Sequence, residues 1–83
     1  MSQQDLLMIF PQYRKYTNGS SYFKILSNKE FVELQIIGEK VIQYHVVAEQ
    51  YPELRLINDM LELQHGHWEL IDPIEFDTIK RSL

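Results

Sequence analysis

The stretch from Glu30 to Tyr51 constrains the fold more than any other part of the chain. Its two arms are rich in valine, isoleucine, tyrosine and phenylalanine, which alternate with polar residues on either side of Gly38, Glu39 and Lys40. An alternation with a period of two is typical of a pleated strand that buries one face. The stretch therefore predicts a β-hairpin, which defines a sheet but carries no chemistry of its own.

Two loops are compatible with this hairpin. A two-residue loop, Gly38-Glu39, suits a type II′ turn but places Leu34 opposite Gln43 and mixes apolar with polar residues on both faces. A three-residue loop, Gly38 to Lys40, matches apolar residues with each other on one face. Because a slip of one residue sends every side chain to the other face, we give the burial pattern more weight and predict the three-residue loop. The other face is then polar in the middle and apolar at both ends, where it carries Phe31, Ile37, Val41 and Val47.

A second hairpin is predicted around Thr17 to Ser20, because Asn-Gly at its centre is a strong signal for a type I′ turn. With that turn, Tyr13 faces Lys24 and Lys15 faces Tyr22 on one side of the sheet.

The remaining elements follow from helix and turn signals. A polar turn joins the two hairpins, so the four strands are predicted to form an antiparallel meander. An amphipathic helix from Pro52 to about Gln64 follows, and Asp72 to Glu75 reads as the capping box of a last helix that reaches about Arg81. Between the two helices, His67 to Ile71 is compatible with a short extended segment. This order predicts an α+β domain with both helices on one face of the sheet. The run from Ser2 to Phe10 fits a short helix or a short strand.

Length and composition indicate one small soluble domain over residues 1–83. The hydrophobic fraction of 45% and the charged fraction of 24% are those of ordinary globular proteins. The absence of cysteine excludes disulfides and thiolate ligands and fits a reducing compartment. The N-terminus lacks a basic region, and its apolar run is too short for a signal sequence or a membrane span. We therefore expect a cytoplasmic protein that does not enter a membrane.

Charge is distributed unevenly. The net charge is −4, and residues 49–77 hold eight acidic side chains against Arg55 as the sole basic one. Such an acidic half argues against broad contact with a nucleic-acid backbone or an anionic membrane.

One group of residues resembles a set of metal ligands. His65 and His67 lie near Glu69 and Asp72, and imidazole and carboxylate groups suit zinc or another divalent metal. The histidines, however, straddle Gly66 at a predicted helix end, where histidine is favoured by the helix dipole alone. The structural interpretation is preferred, and a metal-binding site around His65, His67 and Glu69 ranks third among the hypotheses. No cofactor is predicted.

A second group combines aromatic rings with cations. It consists of Tyr13, Arg14, Lys15, Tyr22 and Lys24. Surfaces that bind single-stranded nucleic acid combine the same residue types, although lysines lying over tyrosine rings on a solvated sheet face are an equally ordinary arrangement. Binding of an anionic ligand or single-stranded nucleic acid is therefore the alternative function. His45, opposite Glu33 in the predicted register, reads as a cross-strand charge pair.

No catalytic signature is found, and the leading hypothesis is a non-enzymatic interaction or accessory module that recognises another protein or itself. Sheet edges can accept an added strand. The candidate interaction surface consists of Phe31, Ile37, Val41, Val47 and Trp68. An exposed Trp68 would anchor a partner, but the favoured role is to fill the gap between a helix end and the next element.

Overall fold

The computed structural model describes residues 9–83, apart from the side chain of Gln64. These residues form a five-stranded antiparallel sheet and two helices, which confirms the α+β class. The strands β1 to β5 are Gln12–Tyr16, Ser21–Ser27, Glu30–Ile37, Lys40–Val47 and Trp68–Leu70. The helices are α1, Tyr51–Glu62, and α2, Pro73–Lys80, and a single 3-10 turn, Gln64–Gly66, follows α1. The N-terminal helix or strand predicted over Ser2 to Phe10 lies outside the described residues except for its last two, which belong to neither.

The strands lie in the order β4-β3-β2-β1-β5. The first four are the predicted meander, and β5 returns to pair antiparallel with β1, so that Glu69 lies opposite Lys15. The sheet therefore has five strands where four were predicted. A three-residue strand is too short to show a periodic pattern, and β5 is defined by its pairing with β1.

The two helices pack on opposite faces of the sheet, so the prediction that they share one face is wrong. Phe23 packs with Ile57 and Met60 of α1, whereas its neighbour Tyr22 packs with Phe76 of α2. Adjacent residues of a strand point to opposite faces. The central strand β2 is thus buried on both sides, and the two helices enclose the sheet in a three-layer arrangement.

The register of β3 against β4 also differs from the prediction. Ile37 lies opposite Lys40 and Leu34 lies opposite Gln43, so the loop has two residues, not three. Gly38 has φ +60°, as the first central position of a type II′ turn requires. The burial pattern does not set the register here, because β4 is an exposed edge strand. Its side chains gain little from burial, and the turn chemistry of Gly38 sets the register.

The register of the first hairpin is confirmed, with Tyr13 opposite Lys24 and Lys15 opposite Tyr22. The turn itself is not type I′. The amide of Gly19 donates to the carbonyl of Tyr16 at 2.8 Å, and Gly19 is the left-handed residue of the turn, with φ +76°.

Candidate functional site

Strand β4 forms one edge of the sheet, and its outer side faces no other strand among residues 9–83. It is eight residues long and pairs with β3 without a register shift. Its four central residues, Ile42 to His45, are all exposed to solvent. The strand is rich in β-branched and aromatic residues, which favour the extended conformation whether or not a second neighbour is present.

Backbone hydrogen bonds show which groups of β4 point outward. The amide of Ala48, just after the strand, donates to the carbonyl of Lys29 at 2.7 Å and therefore points towards β3. The amide of Ile36, opposite Val41, donates to Ser20 on the far side of β3. Because backbone groups alternate in direction along a strand, one set of residues in β4 directs its N–H and C=O groups away from the sheet. This outward set consists of Val41, Gln43, His45 and Val47.

An exposed apolar patch lies beside this edge. Ile42 and Tyr44 are 37% and 43% exposed, and Ile37 at the end of β3 is 51% exposed. All three lie on the face that carries α1, as the alternation along β3 and β4 requires. Helix α1 covers the opposite end of that face, over Phe31 and Val46. We call Ile37, Ile42 and Tyr44 the β4 patch.

The predicted interaction surface does not exist as one surface. Phe31 is buried on the α1 side, and Val41 packs against the cluster under α2. Ile37 and Val47 are exposed, the latter by 56%, but they lie on opposite faces because the loop has two residues. The grouping was wrong for the same reason as the register.

Trp68 is buried, as the favoured packing role required. Its ring stacks on Tyr16, with centroids 4.5 Å apart, and meets Phe23 edge to face at 5.4 Å. It belongs to the buried cluster that also contains Ile57 and Met60 of α1.

The predicted anion-binding hairpin is covered by α2. Tyr22 is buried, and the ring of Tyr13 lies 5.6 Å from that of Phe76. Lys15 Nζ lies 3.0 Å from Glu75 Oε2, and this hydrogen bond raises the pKa of Lys15. Lys24 Nζ lies 6.0 Å from the centroid of Tyr13. The rings and cations of this surface therefore contact the chain itself and do not form an open stacking platform.

Arg14 lies on the other face and is only 5% exposed. Its Nε donates to the carbonyl of Met60 at 2.9 Å, and Nη1 donates to the carbonyl of Tyr13 at 2.8 Å. Burial lowers the pKa of Arg14. Helix α1 has no basic residue in its last turn, so Arg14 places a cation at the negative end of its dipole. Sequence reasoning assigned Arg14 to the anion-binding group and missed this role, for which no local pattern gives a signal.

The histidines do not assemble a metal site with their neighbours. The rings of His65 and His67 are 6.2 Å apart and both side chains are exposed. No three His, Cys, Asp or Glu side chains in the described part of the chain come together as ligands for a metal ion. Glu69 lies on β5, opposite Lys15.

His45 pairs with a different carboxylate from the one predicted. Its Nε2 is in hydrogen-bond contact with Glu30 Oε2. Glu33 lies opposite Tyr44 and accepts a hydrogen bond from Ser21 Oγ at 2.7 Å. The two-residue loop moves Glu33 to the opposite face from His45, which is why the predicted pair does not form.

An open depression adjoins the end of β4. Its lining comprises Val47, Glu49, Gln50, Pro52 and Glu53. Two of these five side chains are carboxylates, so the depression is acidic and continuous with the outward set through Val47.

Within residues 9–83, neither helix has the length and apolar character needed to cross a membrane. Comparison of the chain with protein-family models, with curated protein sequences and with solved structures finds no match.

Proposed function

We propose that this protein is a non-enzymatic interaction module that binds a protein partner by adding a strand to β4. One observation carries the proposal: an eight-residue edge strand presents an outward set of backbone groups, and no strand lies beside it in the described part of the chain. In strand addition, main-chain hydrogen bonds supply affinity and the alternating side chains supply specificity.

The character of this edge supports binding. Sheet edges that do not bind are usually protected by proline, by a bulge, by charged side chains or by being very short. Strand β5 is short, at three residues. Strand β4 contains no proline or bulge, its lysine lies at its first position, and His45 is paired with Glu30. It is a long, regular edge, and the β4 patch beside it offers apolar area to a partner.

The alternative function, anionic-ligand or nucleic-acid binding through the first hairpin, finds no comparable support. Helix α2 lies over its tyrosines, and Lys15 is already paired with Glu75.

A substitution on the outward set tests the proposal. Gln43→Pro removes an outward N–H and leaves the bonds to β3 in place, so the domain should still fold by circular dichroism. We expect it to lose at least ten-fold in affinity for proteins that the wild-type chain captures from the extract of its own cells.

The matched control is Gln43→Thr, which changes the same side chain but keeps the N–H. Partners retained by the threonine variant and lost with the proline variant are edge-dependent. If every partner bound the proline variant as tightly as the wild type, strand addition at β4 would be the wrong mode of binding.

A further inference from the structure

We infer that the strand added to β4 is the β4 strand of a second copy of this chain, antiparallel to the first about a two-fold axis at Tyr44. The inference rests on the proposed strand addition and names its occupant. Along β4, the classes of residue, apolar or polar, follow the same order in both directions from Tyr44. On each side of Tyr44 there is first one polar residue and then two apolar ones. Before Tyr44 these are Gln43, Ile42 and Val41, and after it they are His45, Val46 and Val47.

The backbone allows this register. In an antiparallel pair, residues that exchange hydrogen bonds must both direct their N–H and C=O groups towards the other strand. Centring the pair on Tyr44 places Val41 opposite Val47 and Gln43 opposite His45 of the second copy. Every residue of the outward set then exchanges bonds with another member of the same set, and none is left without a partner.

The side chains match on both faces. On the α1 face, Ile42 meets Val46 of the second copy and the two Tyr44 rings meet each other, which covers two of the exposed residues of the β4 patch. On the α2 face, the exposed Val47 meets Val41, and the two polar residues meet each other. β-Branched and aromatic pairs are the combinations that stabilise neighbouring strands.

The charges are also compatible. With Tyr44 at the centre, Lys40 falls opposite Ala48 of the second copy, next to the depression that Glu49 and Glu53 line. Within β4 no two like charges are directly opposite, and Lys40 approaches an acidic surface. Beyond the ends of the strand, Glu39 of the turn comes level with Glu49 of the second copy, next to that lysine.

The neighbouring registers are less favourable. A pair centred on Gln43 places Glu39 opposite the exposed Val47. A pair centred on His45 places the two histidines opposite each other and Val41 opposite Glu49. Within Val41 to Val47, the register about Tyr44 pairs apolar with apolar and polar with polar residues. The Gln43 register instead places Val41 opposite His45, and the His45 register places Gln43 opposite Val47.

The chain contains no cysteine, so one introduced cysteine reports on the register. In the proposed dimer the two Tyr44 residues form a pair without direct hydrogen bonds, with Cα atoms about 4.5 Å apart, a separation that a disulfide can bridge. Mild oxidation of Tyr44→Cys should therefore give a covalent dimer. The matched control is Ile42→Cys, on the same strand and face. Its two sulfurs would lie on the order of 13 Å apart along the strands, and we expect at least ten-fold less cross-linking.

Amide exchange of the wild-type chain gives a second measurement that needs no substitution. With rising protein concentration, the amides of the outward set should exchange more slowly, while the mass measured by light scattering rises from one copy towards two at both low and high salt.

The outcomes separate the two proposals. A chain that stays monomeric, with no cross-linking of Tyr44→Cys and no slowing of outward amides, overturns pairing with a second copy. In that case, strand addition would still be supported if another protein bound the wild-type chain but not Gln43→Pro. It would be overturned if every partner bound Gln43→Pro as tightly as the wild type. Preferential cross-linking of Ile42→Cys overturns the register about Tyr44.

Discussion

At the scale of single residues, Arg14 is a buried charged side chain that links two elements of the fold. It is buried, and its hydrogen bonds reach from β1 to the last turn of α1. A buried charge needs such partners, because an unpaired one costs several kcal/mol. The same bonds place the guanidinium at the end of the helix where a cation is favoured. Arg14 therefore joins the sheet to α1 and belongs to the core, not to a binding surface.

Replacing Arg14 should show this. Arg14→Ala leaves the carbonyl of Met60 without its bond to the guanidinium, and we expect the free energy of unfolding to fall by about 2 to 3 kcal/mol. Urea unfolding measures the change. Arg55→Ala is the matched control, because Arg55 is exposed and its ion pair with Asp59 is long, at 4.0 Å between Nε and Oδ2. Its free energy of unfolding should stay within about 0.5 kcal/mol of the wild-type value. Equal effects of the two substitutions would contradict the role of Arg14.

At the scale of elements, the pair of Lys15 and Glu75 joins β1 to α2. The hydrogen bond from Lys15 Nζ to Glu75 Oε2 raises the pKa of Lys15 above its usual value of 10.5. A basic group whose pKa is raised by folding stabilises the folded state below its unfolded pKa. That contribution is lost as the pH rises through the folded pKa.

The resulting prediction concerns alkaline unfolding. Between about pH 10 and pH 12, Lys15→Met should lose less of its remaining stability than the wild type, because the variant has no ammonium group to deprotonate. Thermal melting across this range measures the slope. Burial raises the pKa of Tyr16 and acts in the same direction, so it is the difference between the two proteins that isolates Lys15. Lys24→Met, on the neighbouring strand, is the control and should keep the wild-type slope. Parallel curves for wild type and Lys15→Met would show that the pair contributes nothing.

The elements also show what the sequence could and could not predict. Local signals were sufficient for the four strands of the meander, the last helix and its cap, where the Asp72 carboxylate accepts from the amide of Glu75 at 2.8 Å. Contacts between distant parts of the chain could not be predicted from such local signals. The pairing of β5 with β1 and the opposite placement of the helices depend on residues distant in sequence.

The candidate site was predicted in part. The strand pattern predicted that sheet edges are available for pairing. It did not predict which residues form the site, because the wrong loop length at Gly38 put Val41 and Val47 on the same face as Phe31 and Ile37, whereas they lie on opposite faces. When a turn signal and a burial pattern disagree in an edge strand, the turn is the better guide, since edge side chains are only weakly selected for burial.

At the scale of the whole molecule, the sheet is shared by two apolar clusters. One contains Phe23, Ile57 and Trp68 beneath α1, and the other contains Tyr22 and Phe76 beneath α2. Because both clusters use the side chains of β2, neither should survive the loss of the other.

A substitution under α2 should therefore be detected by Trp68 on the opposite side of the sheet. We expect Phe76→Leu to reduce the free energy of unfolding by about 1 to 2 kcal/mol and Phe76→Ala by about 3 to 5 kcal/mol. Trp68 fluorescence and far-ultraviolet circular dichroism should move to the same lower midpoint in each variant. If the Trp68 midpoint stayed at the wild-type value while the helical signal declined early, α2 would be detaching alone and the two clusters would be independent.

The two edges of the sheet are unequal, and this inequality limits how large an assembly can grow. Strand β4 offers eight residues for pairing, whereas β5 offers three. If copies join through β4, each uses its long edge once, and the contact is the same patch on both partners, which closes after two copies. Only the short edges then remain at the ends of the joined sheet. Filament growth would require repeated pairing through β5, and so we expect an assembly of finite size even at high concentration.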